Sequence, residues 1–491
     1  MGWSRRNGWG FGFLQSRMEY SQSLPPAPET PPMARLPWLR SCVLCAIALV
    51  ATAAAAEPTT RIALVGGMLL DGSGGPPVHN ATILIENNRI VAVGPSSGVV
   101  VPVGTPVIDT RGETMMPGMI ELHAHLALMG HGDIGRWFEW LGRHRAEYPL
   151  ERVMELSARQ LLAAGITSAV DLGAPLKESV EVRDRIRRGE IAGPRLSVSG
   201  PWLIPAAAIF PPMCQTIVHT PAEAARAAEA NILGGADVIK LQGGLTFEEY
   251  KAVVEVAHRH HIRVHAHLYE EQAVRDAFTA GVDVLQHVGS AGTAPYSPSL
   301  VEEIARSGRP VVPTAAHRVW VLPATREFPE RLSDPELRRG FPADVWAELQ
   351  DSFRDVSALQ YFRNHEAEES NGEASLAQWI RAGAVIGMGS DNGSPLNFHR
   401  DALWREAKVF VDHGMPASRV IAALTHVNAQ ILGQDGQIGT IEPGKLADVV
   451  VIRGNPLFDI VALANVDVVI KDGVPYRDAV KVILVTDATP R

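Results

Sequence analysis

The sequence predicts an α/β protein: a (β/α)8 TIM barrel carrying a small composite β-sandwich built from both chain ends. Three observations predict it. Between residues 114 and 435, short apolar strands alternate with helical stretches, the texture of βα units around a parallel sheet. Short strands punctuated by Gly, Asn and Pro turns precede that region and return after it. Several strands of the central region end in His or Asp just before a loop, where a barrel keeps its chemistry.

At 491 residues the chain is long enough for one large domain or two smaller ones. Apolar residues make up 46% and charged residues 20%, a soluble globular balance. The formal charge is −9 with no basic stripe, which argues against nucleic acid as a partner. A small-molecule substrate is the expected partner, and whether the chain forms a homo-oligomer stays open. Residues 1–56 read as an N-terminal extension and signal peptide. Met33 to Arg40 is a short basic region, Cys42 to Ala53 an apolar one, and Ala54-Ala55-Ala56 supplies the small residues a signal peptidase needs. The apolar run is short for a membrane span, and Leu44 before Cys45 does not suit a lipid anchor. Either Met1 or Met33 can be the start. The expectation is an exported protein, periplasmic or extracellular, with no membrane attachment after cleavage. Of three cysteines only Cys214 then remains, so no intrachain disulfide forms. Its expected role is a small buried hydrophobe.

Taken in order, residues 57–113 form the first part of the sandwich, with strands expected at Ile62–Val65, Ala81–Glu86, Ile90–Val93 and Val107–Asp109. The barrel is expected over 114–435. Its eight strand candidates are Met119–Leu122, Thr167–Asp171, Arg195–Ser199, Asp237–Leu241, Arg263–His267, Asp283–His287, Pro310–Thr314 and Val385–Gly389. Helices are expected at Ala222–Ile232, Phe247–His258, Gln272–Ala280 and Val420–Leu432. Trp320–Ser357 is the largest insertion and reads either as a lid over the mouth or as a packed surface excursion. Residues 436–491 return to β texture and are expected to complete the sandwich.

The chemistry is read from the strand ends. Strand one ends in His123 and His125. Alternation along a strand puts both on one face, which makes half of a metal site. Strand four carries Lys240, strand five His265 and His267, strand six ends in His287, and strand eight in Asp391. Several His with one Asp suit Zn²⁺, with Mn²⁺, Co²⁺ or Fe²⁺ also compatible. An ammonium among metal cations is strongly disfavoured, so Lys240 is neutral, turned to solvent, or modified. Carboxylated by CO2, it would be anionic and able to bridge two ions.

Five stretches, in this order and spacing, resemble the metal-dependent amidohydrolase superfamily, most closely its imidazolonepropionase-related and prolidase-like branch. They are Met116-Pro-Gly-Met-Ile-Glu-Leu-His-Ala-His-Leu126, Gly165–Gly173, Ala280–His287, Gly389-Ser-Asp391 and Gly439–Asp448. The resemblance implies two divalent ions, most readily Zn²⁺, bridged by carboxylated Lys240. His123, His125 and Asp391 would hold one ion, and His267 and His287 the other. The family shape around Val264-His-Ala-His-Leu-Tyr269 selects His267 over His265, which stays in reserve. It also gives Tyr269 a role at the scissile carbonyl oxygen and makes Asp391 the general base on an activated water.

One departure is clear. Prolidase-like members often carry Gly-Gly-His after strand three, whereas Gly200–Pro212 has no histidine and is strongly apolar. That stretch suits a bulky hydrophobic group. Asp171 and Asn428 read as structural. His399 reads as substrate loop or helix start, and His317 and Arg318 as partners for a substrate carboxylate. The expected activity is hydrolysis of an amide or peptide C–N bond in a dipeptide or N-acyl amino acid. The alternatives are a one-metal deaminase or cyclic-amide hydrolase with unmodified Lys240, a lactonase, and a non-catalytic binding relative. The full ligand set weighs against the last.

Overall fold

A computed structural model describes residues 60–482, apart from 209, 290–294 and 360–364. The expected extension and signal peptide, residues 1–56, lie outside the described residues.

Both chain ends build one β layer. Its strands are β1 (Arg61–Leu69), β2 (Val78–Glu86), β3 (Arg89–Pro95), β4 (Val107–Asp109) and β5 (Glu113–Pro117). Into the same nine-stranded sheet come four strands from the far end of the chain: β15 (Val449–Arg453), β16 (Val466–Lys471), β17 (Val474–Arg477) and β18 (Val480–Lys481). The seam is the antiparallel pair β5–β15, from Pro117 opposite Val449 to Glu113 opposite Arg453. Glu113–Pro117 therefore belongs to this layer, and the barrel begins at Met119 rather than at 114. The strand Val449–Ile452 has no polar face. Val449 and Val451 enter the core shared with Ile62, Leu64, Ile83 and Ile85, while Val450 and Ile452 pack on the barrel core. A strand buried on both faces reads as a continuous apolar run for this reason. Below the barrel, Arg195 ties the two layers by bonding Asp448 Oδ2 at 2.7 Å and the carboxylate of Asp472.

The barrel staves are β6 (Met119–Ala124), β7 (Ile166–Asp171), β8 (Arg195–Val198), β11 (Val238–Leu241), β12 (Arg263–His267), β13 (Val284–Gln286) and β14 (Val311–Val312), all in parallel pairings. A short two-stranded excursion after β8, β9 (Trp202–Ile204) and β10 (Gln215–Ile217), was not anticipated; it joins the sheet through β11. Asp237 links β8 to β11: its N–H donates to Val198 O at 2.8 Å and its Oδ2 accepts from Val198 N at 3.0 Å.

The eighth stave, Val385–Gly389, is not a regular strand. It closes the barrel with isolated bonds: Val311 N to Val385 O and Gly387 N to Val311 O, both 2.9 Å, and Leu122 N to Met388 O at 3.2 Å. Crowding explains the glycines here. A Cβ on Gly387 would lie 2.7 Å from Leu122 and Ile431 side chains, and one on Gly389 2.8 Å from Val312. Asn428 does the stitching that regular pairing would otherwise do. Its Nδ2 donates to Ile120 O (2.7 Å) and Met388 O (2.8 Å), and its Oδ1 accepts from Met388 N (2.9 Å). The helix expected over Val420–Leu432 is broken by a wide π turn, Ala423–Val427, whose end delivers Asn428 to this seam. Asn428→Leu should lower the melting temperature clearly, because each buried polar group left unpaired costs roughly 1–3 kcal/mol. Thermal unfolding followed by circular dichroism checks this, with an unchanged melting point as the refuting result.

The insertion after β14 packs above the mouth with a hydrophobic core of its own. Trp346 and Leu349 of the helix Ala343–Ser352, with Phe353 just after it, join one apolar cluster with Trp137, Trp140 and Leu141 of the helix Ile134–Arg143, and Phe398 packs against Trp346 and Phe353. Arg136 bonds Glu348 at 2.8 Å and Asp351 at 2.5 Å across the same contact. The loops after staves one, seven and eight thus form one cover.

Candidate active site

Glu121, His123 and His125 alternate with Leu122 and Ala124 along β6, so the three polar side chains share one face. Glu121 is fully buried, and its carboxylate accepts from His123 N (2.8 Å), Ser390 N (2.9 Å), Ser390 Oγ (2.6 Å) and Asn392 Nδ2 (2.9 Å). It thereby fastens stave one to stave eight immediately below the site. Burial raises its carboxyl to about 7 against those bonds.

Above Glu121 the imidazoles converge on Asp391. His125 Nε2 lies 3.1 Å and His123 Nε2 3.7 Å from Asp391 Oδ1, and His317 Nδ1 is 3.5 Å from Oδ2. Burial would raise the Asp391 carboxyl. Hydrogen bonding, first of all to His125, outweighs it and holds the group well below the usual carboxylate range. His123, His287 and Asp391 present one donor atom each within 4.8 Å of one another. His267 joins from β12, its ring 4.3 Å from that of His287 and 4.4 Å from that of Tyr269. Burial, then the Lys240 charge, pulls the His267 imidazole down to about 3, and burial likewise lowers His123 and His287. Neutral imidazoles are the form that binds metal.

Two of these residues stand in backbone conformations that strand alternation does not supply. His287 has φ 62° and Asp391 φ 57°, both left-handed. For non-glycine residues this conformation is uncommon and costs of order 1–3 kcal/mol. The turn at His287 lets two consecutive side chains, Gln286 and His287, both serve the barrel interior. His287 Nδ1 bonds Thr314 Oγ1 at 2.8 Å, leaving its other nitrogen for the site.

Lys240 is 1% exposed, so the reading in which it turns to solvent fails. Its Nζ lies 3.4 Å from His123 Nε2. Burial lowers the amine to about 7, with Asp391 pulling the other way. His265, the reserve ligand, sits lower in the barrel and bonds Gln286 rather than the Asp391 cluster.

The donor set fits a divalent cation. It consists of the neutral buried imidazoles of His123, His267 and His287 around an ionised carboxylate, and His125 Nδ1 has no hydrogen-bond partner among the described residues.

Other expectations resolve as follows. Asp171 is structural: it accepts from Leu126 N at 3.0 Å. His399 is buried against His125 O at 3.3 Å, one turn before the helix Ala402–Asp412, rather than on a substrate loop. Arg318 is engaged inside the protein, with Glu368 at 2.8 Å, His317 Nδ1 at 3.0 Å and the Tyr269 side chain. This corrects its reading as a carboxylate receptor waiting for substrate. Cys214 is buried, and burial pushes its thiol up to about 12. Cys214→Ala should keep activity, and the native protein should resist thiol reagents until unfolded.

Sequence reasoning missed Glu121, Gln286, Thr314 and Trp202. The Trp202 ring stands 5.7 Å from His125 and carries Phe210 edge-on at 4.1 Å, so the apolar stretch after stave three does reach the His125 ring. A glutamate inside an otherwise apolar strand was the one visible signal among the four.

Fold and site together define a barrel hydrolase that works with a divalent metal. The chain belongs to the amidohydrolase family, whose model matches residues 114–475. Among curated relatives, it is 26% identical to a 5-methylthioadenosine/S-adenosylhomocysteine deaminase of Symbiobacterium thermophilum, over 80% of this chain and 85% of that one. Among solved structures, it is similar to a candidate prolidase from Bifidobacterium longum, with TM-score 0.66, 27% identity, and coverage of 85% of this chain and 94% of that one. Phenylurea hydrolase B shares the fold at TM-score 0.69 and 21% identity, over 88% of this chain and 100% of that one.

Proposed function

We propose that this protein cleaves the amide or peptide C–N bond of a small substrate such as a dipeptide or N-acyl amino acid, after export from the cytoplasm. The observation that carries the reading is Lys240, a fully buried lysine 3.4 Å from His123, whose amine burial lowers to about 7, so that a large share of it is neutral at physiological pH. A neutral amine is the form that takes up CO2. As a carbamate it would bridge two ions, most readily Zn²⁺, one held by His123, His125 and Asp391 and the other by His267 and His287. Bound there, such ions supply Lewis acidity and lower the pKa of water.

The chain's own groups do the rest. Asp391 is ionised at neutral pH and stands ready to take a proton from water and hand it to the leaving amine. Tyr269, raised to about 12 chiefly by burial, keeps its hydroxyl proton and can donate it to the carbonyl oxygen as negative charge develops. Trp202 and Phe210 form an apolar wall beside His125, suited to a bulky acyl or side-chain group. The likeness to a candidate prolidase at 27% identity supports this reading.

A second reading is a one-metal deaminase. It is favoured by the deaminase relatives, alignable over about four fifths of the chain, and by the compact trio His123, His287 and Asp391. The test is a mixed pool of dipeptides, N-acyl amino acids, lactones and aminated heterocycles given to the metal-loaded protein, with products read by mass. Fragments split at an amide support the proposal. Exchange of an amine for a hydroxyl on an intact ring replaces it with the second reading.

A further inference from the structure

We propose that Gln286 is a positioning residue: one buried amide sets His123 and His265 in opposite tautomers, making the first a metal ligand and the second not. The inference rests on the metal-site reading above.

Gln286 ends β13 inside the barrel and is completely buried, as are both histidines. Its Oε1 lies 2.8 Å from His123 Nδ1. Its Nε2 lies 2.9 Å from His265 Nδ1 and 3.4 Å from Leu122 O. The carbonyl of Leu122 can only accept, so the NH2 edge of the amide must face it. The oxygen therefore faces His123, whose Nδ1 must carry the proton. That leaves the His123 Nε2 lone pair turned toward Asp391 Oδ1 and Lys240 Nζ, 3.7 Å and 3.4 Å away.

On the other side, the second N–H of the amide is given to His265 Nδ1. The His265 proton then sits on Nε2, which has no partner among the described residues and offers no lone pair to a cation. The two histidines of His265-Ala-His267 are thus told apart by a residue on the neighbouring strand. A leucine or valine, the usual filling of a barrel interior, would pack in this place but would leave both tautomers undetermined. Ligand histidines commonly donate their other N–H to an acceptor that fixes the ring, and losing that partner costs about 10- to 100-fold in metal affinity.

The experiment measures metal affinity directly. Wild type, Gln286→Met, Gln286→Asn and Gln286→Glu are stripped with a chelator. Each is titrated with Zn²⁺ against a chromophoric competitor, and with Co²⁺ by visible absorption. Met keeps the shape without the bonds, and Asn withdraws the amide from His123, so both should lose about 10- to 100-fold in affinity. Glu still accepts from His123 Nδ1 and should bind close to wild type. His265→Asn should keep the wild-type ion stoichiometry. Wild-type affinity in Gln286→Met, or a Glu variant as weak as Met, overturns the proposal, as does loss of an ion in His265→Asn. Should the Met variant fail to fold, Asn against Glu decides. Wild type that takes up neither ion refutes the metal-site reading itself, a different result from any of these.

Discussion

Asp391→Asn is expected to lower turnover by about 10²- to 10⁴-fold, the usual contribution of a positioned general base, while the barrel stays folded. The substitution is unusually clean. Asn and Asp are the residues that best tolerate a left-handed backbone, and Asp391 sits at φ 57°. The amide oxygen of Asn can still accept from His125, 3.1 Å away, and Ser394 Oγ, which donates to Asp391 Oδ1 at 2.9 Å, keeps an acceptor. What disappears is the charge and the capacity to hold a proton. Circular dichroism and metal content establish that the fold and the ion survive. Turnover on whichever substrate the mixed pool yields then tests the base. Full activity at normal metal content would remove Asp391 from that role.

The barrel was legible because its staves repeat a simple pattern. Runs of four to six residues rich in aliphatic and β-branched side chains, such as Val238–Leu241 and Ile166–Asp171, are bounded by loops and separated by helices. The candidate ligands were legible for the opposite reason: histidines at stave ends contradict what a barrel interior wants. What stayed hidden depends on three-dimensional closure. No local pattern says that Val385–Gly389 would pair only by isolated bonds, because the crowding that demands Gly387 and Gly389 comes from Leu122, Val312 and Ile431. The left-handed turns at His287 and Asp391 break the period of two, so alternation alone cannot say that Gln286 and His287 both turn inward. The preference for His267 over His265 rested on a motif, and the different surroundings of the two rings, Gln286 against His265 and His287 beside His267, come from a neighbouring strand.

Lys240→Met separates the two functional readings with the largest difference between outcomes. If the lysine carries a bridging carbamate, the variant loses about one ion per chain. Turnover then falls by about 10²- to 10³-fold, the scale of removing a preorganised electrostatic group from an active site. Lys240→Glu, which returns an anionic oxygen donor to the same stave, should regain part of both. If the protein is a one-metal deaminase with an unmodified lysine, Lys240→Met keeps its ion, and its activity changes little. The pH dependence gives a second, independent reading. Burial lowers the Lys240 amine to about 7, so it is mostly protonated below that pH and mostly neutral above it. Only the neutral amine can form the N–C bond to CO2, releasing one proton as the carbamate appears. Metal-stripped protein should therefore recover activity when reloaded with Zn²⁺ and bicarbonate at pH 8 and recover poorly at pH 6. Native mass spectrometry of the pH 8 sample should show the added mass of one CO2. Recovery that is indifferent to bicarbonate and equal at the two pH values would leave Lys240 unmodified and hand the site to the one-metal reading.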